Sequence, residues 1–330
     1  MHSIEQHIAI SVLRLVVMVA AVLGNALILF VVLKNRKLRQ RGANLLFAQL
    51  ALADLLIGVG VGIRATATIV FNRLNTTIFR KGDCLTIGIL AVFAIHLSQA
   101  TMMAIAFDRF LCIQFPLFYR NSETLRFATF RFVLCAIFSL LGTSLVYFDL
   151  RWDDQTALCA FGSSIPLWYI SYWNFFSTIF TLLIYALYIT IFVVYKTRIQ
   201  TIHSATQRTL FRTITAVLVS YFLLWCVPNF SIVAGNLLGA SPAVFGYLSF
   251  LVAFGSGFNA STNIFIYGWK HSELGSCMRK TLSTGLRYLL FCRSRGTEPR
   301  SSIFLSTDKV TTERKITPIS GSYGFEFVDK

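Results

Sequence analysis

Seven long apolar runs, separated by short polar segments, constrain the fold of this chain more than any other feature of its sequence. A helix of about 20 apolar residues crosses the roughly 30 Å hydrocarbon core of a bilayer, and each run is that long. Hydrophobic residues make up 55% of the 330 residues and charged residues 13%, which is too apolar for a soluble domain. The predicted spans are about 8–33, 43–71, 84–113, 126–148, 165–195, 209–236 and 242–268. The sequence therefore predicts an all-α membrane protein, a seven-transmembrane helix bundle.

The distribution of basic residues predicts how these spans are oriented. The formal net charge of +16 could indicate nucleic-acid binding, but the basic residues collect in short segments between spans. The first connection, residues 34–41, has five basic residues and no acid, whereas residues 149–154 include three aspartates. By the positive-inside rule, we expect residues 1–7 outside, the C-terminus in the cytoplasm and no nucleic-acid partner. The sequence therefore predicts a multi-pass protein of the plasma membrane, with the bundle at residues 8–268.

The segment after the last span divides into two predicted parts. Residues 269–295 begin with an amphipathic stretch that predicts a short eighth helix along the inner membrane face and its lipids, to about residue 282. Cys277 and Cys292 are candidates for palmitoylation there, with a free cytosolic thiol as the equal alternative. Residues 296–330 are polar and rich in Ser and Thr, which predicts a disordered cytoplasmic tail. Phosphorylation of this tail would allow arrestin to bind.

Only two of the seven cysteines fall in predicted outer segments. Cys84 lies at the top of the third span and Cys159 in the second outer loop, in a compartment that permits disulfides. A bridge between them would hold that loop over the helix bundle, and two free outer thiols are the alternative. Asn75 begins the sequence Asn-Thr-Thr in the first outer loop and is a candidate glycosylation site. Its closeness to the membrane leaves an unmodified side chain equally open.

Five polar residues of the predicted spans share one depth in the membrane. At about 1.5 Å per helical residue, each lies roughly 10–20 Å above the inner face. They are Asn25, Asp54, Ser98, Asn259 and Asn263. A buried carboxylate at that depth requires a cation or a shell of hydrogen bonds, and the last four residues would supply oxygen ligands suited to Na⁺, with Asn25 adjacent. Interhelical hydrogen bonding without an ion is the alternative.

An acidic residue followed by arginine closes the third span, in the sequence Asp108-Arg109-Phe110. Ionisable residues at the edge of a span are costly to keep there and are by default functional. Five further fragments, each weak alone, occur in register with it: Gly24-Asn25, Leu50-Ala51-Leu52-Ala53-Asp54, Cys84, Phe222-Leu223-Leu224-Trp225-Cys226-Val227-Pro228 and Asn263-Ile264-Phe265-Ile266-Tyr267. Together, over about residues 20–270, they resemble the rhodopsin-like (class A) G-protein-coupled receptors.

The resemblance implies a role for several of these residues. In that family, the arginine that matches Arg109, beside Asp108, meets the G-protein α subunit when the sixth helix swings outward. The aspartate that matches Asp54 lines a sodium pocket, and the tyrosine that matches Tyr267 turns inward and steadies the active state. A carboxylate at the start of the sixth span often holds the arginine in the resting state. Because no Asp or Glu occurs from residue 196 to 212, we expect Asp108 to be the partner of Arg109.

The sixth and seventh spans depart from the family pattern. The activation-switch candidates are Phe222, Trp225, Cys226 and Pro228. The family usually has Cys-Trp-x-Pro here, whereas Trp225-Cys226 reverses the pair and turns the indole about 100° around the helix. Ile264 replaces the expected proline of the seventh span, so Pro228 is the remaining helix-bending residue. These departures, with Phe-Pro-Leu-Phe-Tyr-Arg after the third span, most resemble the nematode serpentine chemoreceptors of the srsx type.

The ligand-pocket candidates are Arg64, Ala91 and His96. The family's amine receptors have an aspartate where this chain has Ala91, and visual pigments have a lysine where it has Gly257, so the resemblance implies neither an amine nor a retinal ligand. Arg64 could pair with an anionic ligand, or extend to the outer headgroups or a nearby aspartate instead. His96 is either a ligand contact or an interhelical hydrogen-bonding residue.

These patterns favour a receptor over other membrane proteins. A transporter or channel is the alternative class, but the chain shows no internal repeat and no paired interrupted helices. It also lacks an HExxH sequence, a metal-ligand cluster and a phosphate loop, so we expect no enzymatic activity and no cofactor apart from Na⁺ in the bundle. The sequence predicts a chemosensory receptor that binds an extracellular small molecule or peptide and activates a heterotrimeric G protein. A neuropeptide receptor of the same fold is the alternative.

Overall fold

The computed structural model describes residues 7–122, 124–157, 159–198, 215–239, 242–270 and 274–284. Within these residues, seven long helices and a shorter eighth one follow each other along the chain. Their bounds are α1 Ile8–Lys34, α2 Gly42–Arg73, α3 Lys81–Gln114, α4 Leu125–Ser144, α5 Leu167–Arg198, α6 from Thr215 through the wide turn Phe222–Cys226 to Val227–Leu237, α7 Pro242–Lys270 and α8 at 274–284. Short connecting helices lie at Arg36–Arg39, Pro116–Ser122, Leu145–Tyr147 and Phe161–Ser164.

In the described part of the chain, six helices, α1 to α6, are long and apolar enough to cross a membrane. The seventh, α7, has 29 residues and is also long enough, but its inner half contains the polar run 261–263 next to Asn259. The predicted helical membrane bundle is therefore confirmed.

Most predicted span ends agree with the helices to within a few residues. The fourth span was expected to reach residue 148, but α4 ends at Ser144 and the tight turn Leu145–Tyr147 follows. The eighth helix was expected from residue 269, whereas α7 continues to Lys270 and the described part of α8 begins at residue 274. The junction between α7 and α8, residues 271–273, lies outside the described residues.

Helix α3 lies at the centre of the bundle and packs against α2, α4 and α5, while α1 packs against α2 and α7. Small residues allow the closest approaches. An ideal Cβ placed on Gly60 of α2 would lie 2.9 Å from the Cβ of Ala91 in α3, so a side chain larger than hydrogen would push these helices apart. Ala91, a candidate ligand contact, is therefore a packing position between α2 and α3.

We call the end of the bundle at which α3 begins the outer end and the opposite end the inner end, after the predicted orientation. The loop between α4 and α5, predicted as the second outer loop, covers the outer end. Cys84 and Cys159 form a disulfide with their Cα atoms 5.2 Å apart, so the predicted bridge is present. The short strands β1 (Phe79–Arg80) and β2 (Gln155–Thr156) pair antiparallel beside it. The Lys81 ammonium lies 2.9 Å from the Asp154 carboxylate. This loop is therefore held to the start of α3 by a covalent bond, backbone hydrogen bonds and an ion pair.

Candidate functional site

The inner end of α3 contains a cluster of charged groups around one buried carboxylate. The Asp108 side chain is fully buried and accepts hydrogen bonds from Arg109 and from Arg131 of α4. The Tyr119 hydroxyl, in the short helix after α3, lies 3.2 Å from both carboxylate oxygens and donates to them. The expected pairing of Arg109 with Asp108 is therefore present, and Asp108 has two arginine partners.

Arg131 was not singled out in the sequence, although it completes this cluster. It lies 23 residues after Asp108, on a different helix, so no local pattern links the two. Its guanidinium also lies over the Phe127 ring, 4.8 Å from the ring centre, a cation–π contact within α4. An arginine inside an apolar span is costly unless it is paired, and that signal alone would have identified Arg131.

Two other parts of the predicted coupling site cannot be placed. Tyr267 lies within α7, but its side chain is outside the described structure. Residues 199–214, which include Arg208 and Arg212, also lie outside the described residues. The tail from residue 296, with the phosphorylation sites expected there, and Cys292 lie outside them as well.

The polar layer in the middle of the bundle converges on Asp54. This fully buried carboxylate of α2 accepts hydrogen bonds from Ser98 of α3, with 3.2 Å between Oγ and Oδ1, and from the amide of Asn263 in α7. Asn25 donates to the carbonyls of Ala21 and Ala260, each at 2.8 Å, and so joins α1 to α7. Helices α3 and α7 therefore contribute to the shell around one carboxylate of α2.

Asn259 takes a different position in this layer from the one expected. Its Oδ1 accepts a hydrogen bond from Ser220 of α6 at 3.4 Å, so it joins α6 to α7 one turn away from the Asp54 contacts. Among the described ion pairs, none involves Asp54, so no cationic side chain of the described residues neutralises this carboxylate. The Asp54 carboxylate and the Ser98 hydroxyl supply oxygen atoms of the kind that a hard cation such as Na⁺ prefers, whereas the Asn263 amide presents its nitrogen to Asp54 in this arrangement.

Helix α6 opens into a wide turn beside α7. Pro228 has no N–H, so the carbonyl of Leu224, four residues earlier, lacks its usual helical donor. That carbonyl faces α7 at Gly255, where an ideal Cβ would lie only 2.0 Å from the Leu224 oxygen. The Asn229 side chain donates to the next carbonyl, that of Trp225, at 2.8 Å. The wide turn Phe222–Cys226 is therefore stabilised by Pro228, Asn229 and the absence of a side chain at Gly255.

The reversed Trp225-Cys226 pair turns its indole toward α5. Trp225 is 4% exposed, and its ring centre lies 6.5 Å from that of Trp173 in α5. Its Nε1 has no hydrogen-bond partner among the described residues. Cys226 is also buried, with its Sγ 4.0 Å from the Tyr185 hydroxyl. Phe222 packs edge-on against Tyr185, with ring centres 5.9 Å apart, so three of the four switch candidates contact α5.

Arg64 and His96 both have structural contacts near the outer end. Arg64 donates to the carbonyls of Cys159 at 3.0 Å and Cys84 at 3.3 Å, so it supports the backbone at the disulfide. His96 is fully buried, with Nδ1 2.9 Å from the Val92 carbonyl and its ring stacked on Phe176 at 4.8 Å. The Nε2 of His96 also lies 3.4 Å from the Tyr172 hydroxyl of α5, which is an interhelical contact. The hydrogen bonds described for Arg64 reach backbone carbonyls on both sides of the disulfide.

Three further positions complete the description of the predicted sites. Asn75 is exposed after α2, with a positive φ of 53°, which asparagine tolerates better than most residues. The Cys277 thiol in α8 accepts a hydrogen bond from Asn35 at 3.4 Å, so it faces the first inner loop.

Arg14 of α1, a buried arginine that sequence reasoning missed, lies 5.9 Å from the centre of the Phe254 ring in α7.

Comparison with known proteins places this geometry in a receptor family. A family described as "Serpentine type 7TM GPCR chemoreceptor Srsx" matches residues 18–282. The adenosine receptor A2a of Cavia porcellus is 26% identical over 328 residues, 88% of this chain and 76% of that receptor. Neuropeptide receptor 22 of Caenorhabditis elegans is 31% identical over 141 residues, 42% of this chain and 32% of that protein.

A third relative matches over a shorter stretch with higher identity. The neuropeptide FF receptor 1 of Rattus norvegicus is 35% identical over 118 residues. That match covers 36% of this chain and 26% of the rat receptor. Because the family match spans most of the chain, from α1 into α8, the protein belongs to the Srsx family of seven-transmembrane G-protein-coupled chemoreceptors.

Proposed function

We propose that this receptor lies in the plasma membrane with its N-terminus outside, binds an extracellular chemical ligand, and activates a heterotrimeric G protein through Arg109. The observation that carries the proposal is the buried Asp108–Arg109 pair at the inner end of α3. Basic residues in the first connection and near the end of α7 support the orientation. In this orientation the Asp108 cluster lies on the cytoplasmic side, where a G protein binds.

Ligand binding would act by favouring one of two arrangements of the inner end. In the resting arrangement, Arg109 is held by Asp108. In the active arrangement, the inner ends of α5 and α6 separate and Arg109 turns toward the G protein. The wide turn before Pro228 supplies a bend at which α6 can change direction, since such turns are common at functional sites. Trp225, in contact with Trp173, would link the bend to α5.

Na⁺ binding in the polar layer belongs to the same proposal. Asp54 would supply the charge and Ser98 a hydroxyl oxygen, and the Asn263 amide would turn its oxygen toward the ion, with Asn259 one turn away. A bound Na⁺ would supply positive charge to a buried carboxylate that otherwise depends on hydrogen bonds alone. The protein's own residues hold the α2, α3 and α7 helices together at this level, with or without the ion.

A neuropeptide ligand is the second candidate. It is favoured by the relatives named neuropeptide FF receptor 1 and neuropeptide receptor 22, whereas the longer match to an adenosine receptor favours a small molecule. The family match favours the chemosensory assignment. The proposed activity is signalling rather than catalysis, and arrestin capture by the phosphorylated tail stays a prediction.

A ligand screen tests the proposed function. Cells that express the receptor would be exposed to pools of volatile and water-soluble small molecules and to peptide pools, with cAMP and calcium as readouts. Mock-transfected cells of the same line are the control for endogenous responses. A receptor-dependent response to a small molecule supports the chemosensory proposal, and a response confined to peptides would replace it with the neuropeptide alternative. A surface-expressed receptor with neither basal nor ligand-driven G-protein signalling would contradict both.

A further inference from the structure

One carboxylate at the inner end of the bundle is shared by two arginines from different helices. The side chain of Asp108 is 0% exposed, that of Arg109 7% and that of Arg131 11%. The cluster therefore carries one negative and two positive charges in a largely buried place. Tyr119 adds a neutral hydrogen bond to both carboxylate oxygens.

The second arginine, Arg131, changes the charge balance that remains around Asp108 when Arg109 turns away from it. A buried carboxylate that loses its only cationic partner is strongly destabilised, because desolvation is no longer offset by an opposite charge. In this cluster Asp108 would keep the Arg131 guanidinium and the Tyr119 hydroxyl. The departure of Arg109 would therefore leave a paired carboxylate rather than an isolated one.

Arg131 also competes with Arg109 in the resting arrangement. Both guanidiniums bond to the same carboxylate, Arg109 to Oδ2 and Arg131 to Oδ1 of Asp108. Their like charges therefore repel each other. Arg131 is fixed in place by its own helix: Thr124 caps the start of α4 by accepting from the Phe127 N–H at 3.3 Å, and the Phe127 ring lies against the guanidinium. Arg109 is thus the more readily released of the two.

We propose that Arg131 is a positioning residue for G-protein coupling: it retains Asp108 when Arg109 turns toward the G protein, and so favours the coupling-competent arrangement. This inference rests on the proposed role of Arg109. Helix α4 thereby takes part in activation through Arg131, in addition to the Asp108–Arg109 pair of α3. Removing Arg131 should strengthen the hold of Asp108 on Arg109 and weaken coupling.

The test measures binding of a nucleotide-free heterotrimeric G protein to the purified, unliganded receptor in detergent. The G protein is the one that shows the greatest receptor-dependent nucleotide exchange in a panel of Gα subunits. Arg131→Ala should weaken binding about three- to tenfold, which corresponds to about 0.6–1.4 kcal/mol, the net contribution of one typical hydrogen bond. Arg131→Lys should retain most of the affinity because it keeps the positive charge. Arg126→Ala, an exposed arginine of the same helix, is the matched control and should bind as the parent does.

A double substitution separates positioning from mere stabilisation of the fold. In an Asp108→Asn background there is no carboxylate to retain, so adding Arg131→Ala should have no further effect on binding. An equal loss in both backgrounds, an unchanged Arg131→Ala receptor, or tighter binding by Arg131→Ala would each overturn the inference. Arg109→Ala is measured in parallel. If it binds as the parent does, or if no Gα subunit binds the parent, the proposed function itself fails and this inference fails with it.

Discussion

The outer and inner ends of the bundle are held together by different kinds of interaction. At the outer end, the Cys84–Cys159 disulfide and the β1–β2 pairing fix the second outer loop to the start of α3. At the inner end, the described contacts of the Asp108 carboxylate are two ion pairs and a hydroxyl hydrogen bond, all from side chains. A covalent bond permits one arrangement, whereas a carboxylate with several partners can exchange them. In the proposed function, the outer end is therefore the fixed frame and the inner end is the part that changes its partners.

Breaking the fixed frame should have the largest effect. Cys84→Ser removes a bridge between residues 75 positions apart, and loss of a native disulfide typically costs about 2–5 kcal/mol. We expect little receptor at the cell surface and a lower midpoint of thermal unfolding for the purified protein. Cys112→Ser, in the same helix but outside any disulfide, is the control. Parental surface levels and thermal stability in Cys84→Ser would contradict the role given to the outer end.

A substitution at Gly255 tests the contact between α6 and α7 that lies between the two ends. In Gly255→Ala the new methyl group would meet the Leu224 carbonyl at 2.0 Å, and overpacking of this kind costs about 1–3 kcal/mol. We expect reduced thermal stability together with altered basal signalling, since the wide turn of α6 must shift. Gly162→Ala, where nothing lies within 4 Å, is the matched control. Equal behaviour of the two variants would show that the wide turn does not depend on Gly255.

Removing the Asp108 carboxylate tests whether the inner cluster holds the receptor in its resting arrangement. Asp108→Asn should raise basal signalling severalfold, because it removes the carboxylate that holds Arg109 in the resting arrangement. The reverse change, introducing an acid by Arg208→Glu, should lower it. Asp83→Asn, an exposed aspartate at the outer end of the same helix, is the control in a second-messenger assay normalised to surface expression. Equal basal signalling in the Asp108 and Asp83 variants would mean that the inner cluster does not hold the resting state.

The smallest expected effect concerns Na⁺ in the polar layer. Replacing choline chloride with sodium chloride at constant ionic strength should raise the thermal stability of the parent receptor by no more than about 1 kcal/mol, through mass action. Asp54→Asn should remove this difference, and any sodium dependence of agonist affinity with it. A parent receptor whose stability and agonist affinity are both insensitive to Na⁺ would reduce the layer to interhelical hydrogen bonding.

Sequence reasoning was most successful where the physical signal is local. The length and apolarity of each helix depend only on consecutive residues, so the helical bundle could be predicted span by span. The disulfide was predictable because only Cys84 and Cys159 fall in outer segments. The contacts of Ser98 and Asn263 with Asp54 were predictable because equal depth in a membrane brings polar groups of different helices together.

The structure adds features that depend on how the helices face one another. The partnership of Arg131 with Asp108 requires the rotation of α4 relative to α3, which no spacing in the chain specifies. The wide turn of α6 depends on Gly255 in another helix as well as on Pro228. Arg64 was placed near the outer end correctly, but its hydrogen bonds to the backbone at the disulfide follow from the fold of the second outer loop.

Signalling by Arg109→Ala at matched surface expression shows whether Arg109 couples this receptor to a G protein. The account predicts that this receptor reaches the cell surface, since the outer frame is intact, but shows neither basal nor ligand-driven activation of a G protein. Arg126→Ala, which keeps Arg109, should signal as the parent receptor does. Full ligand-driven signalling by Arg109→Ala would show that the Asp108 cluster is not the switch through which this receptor couples.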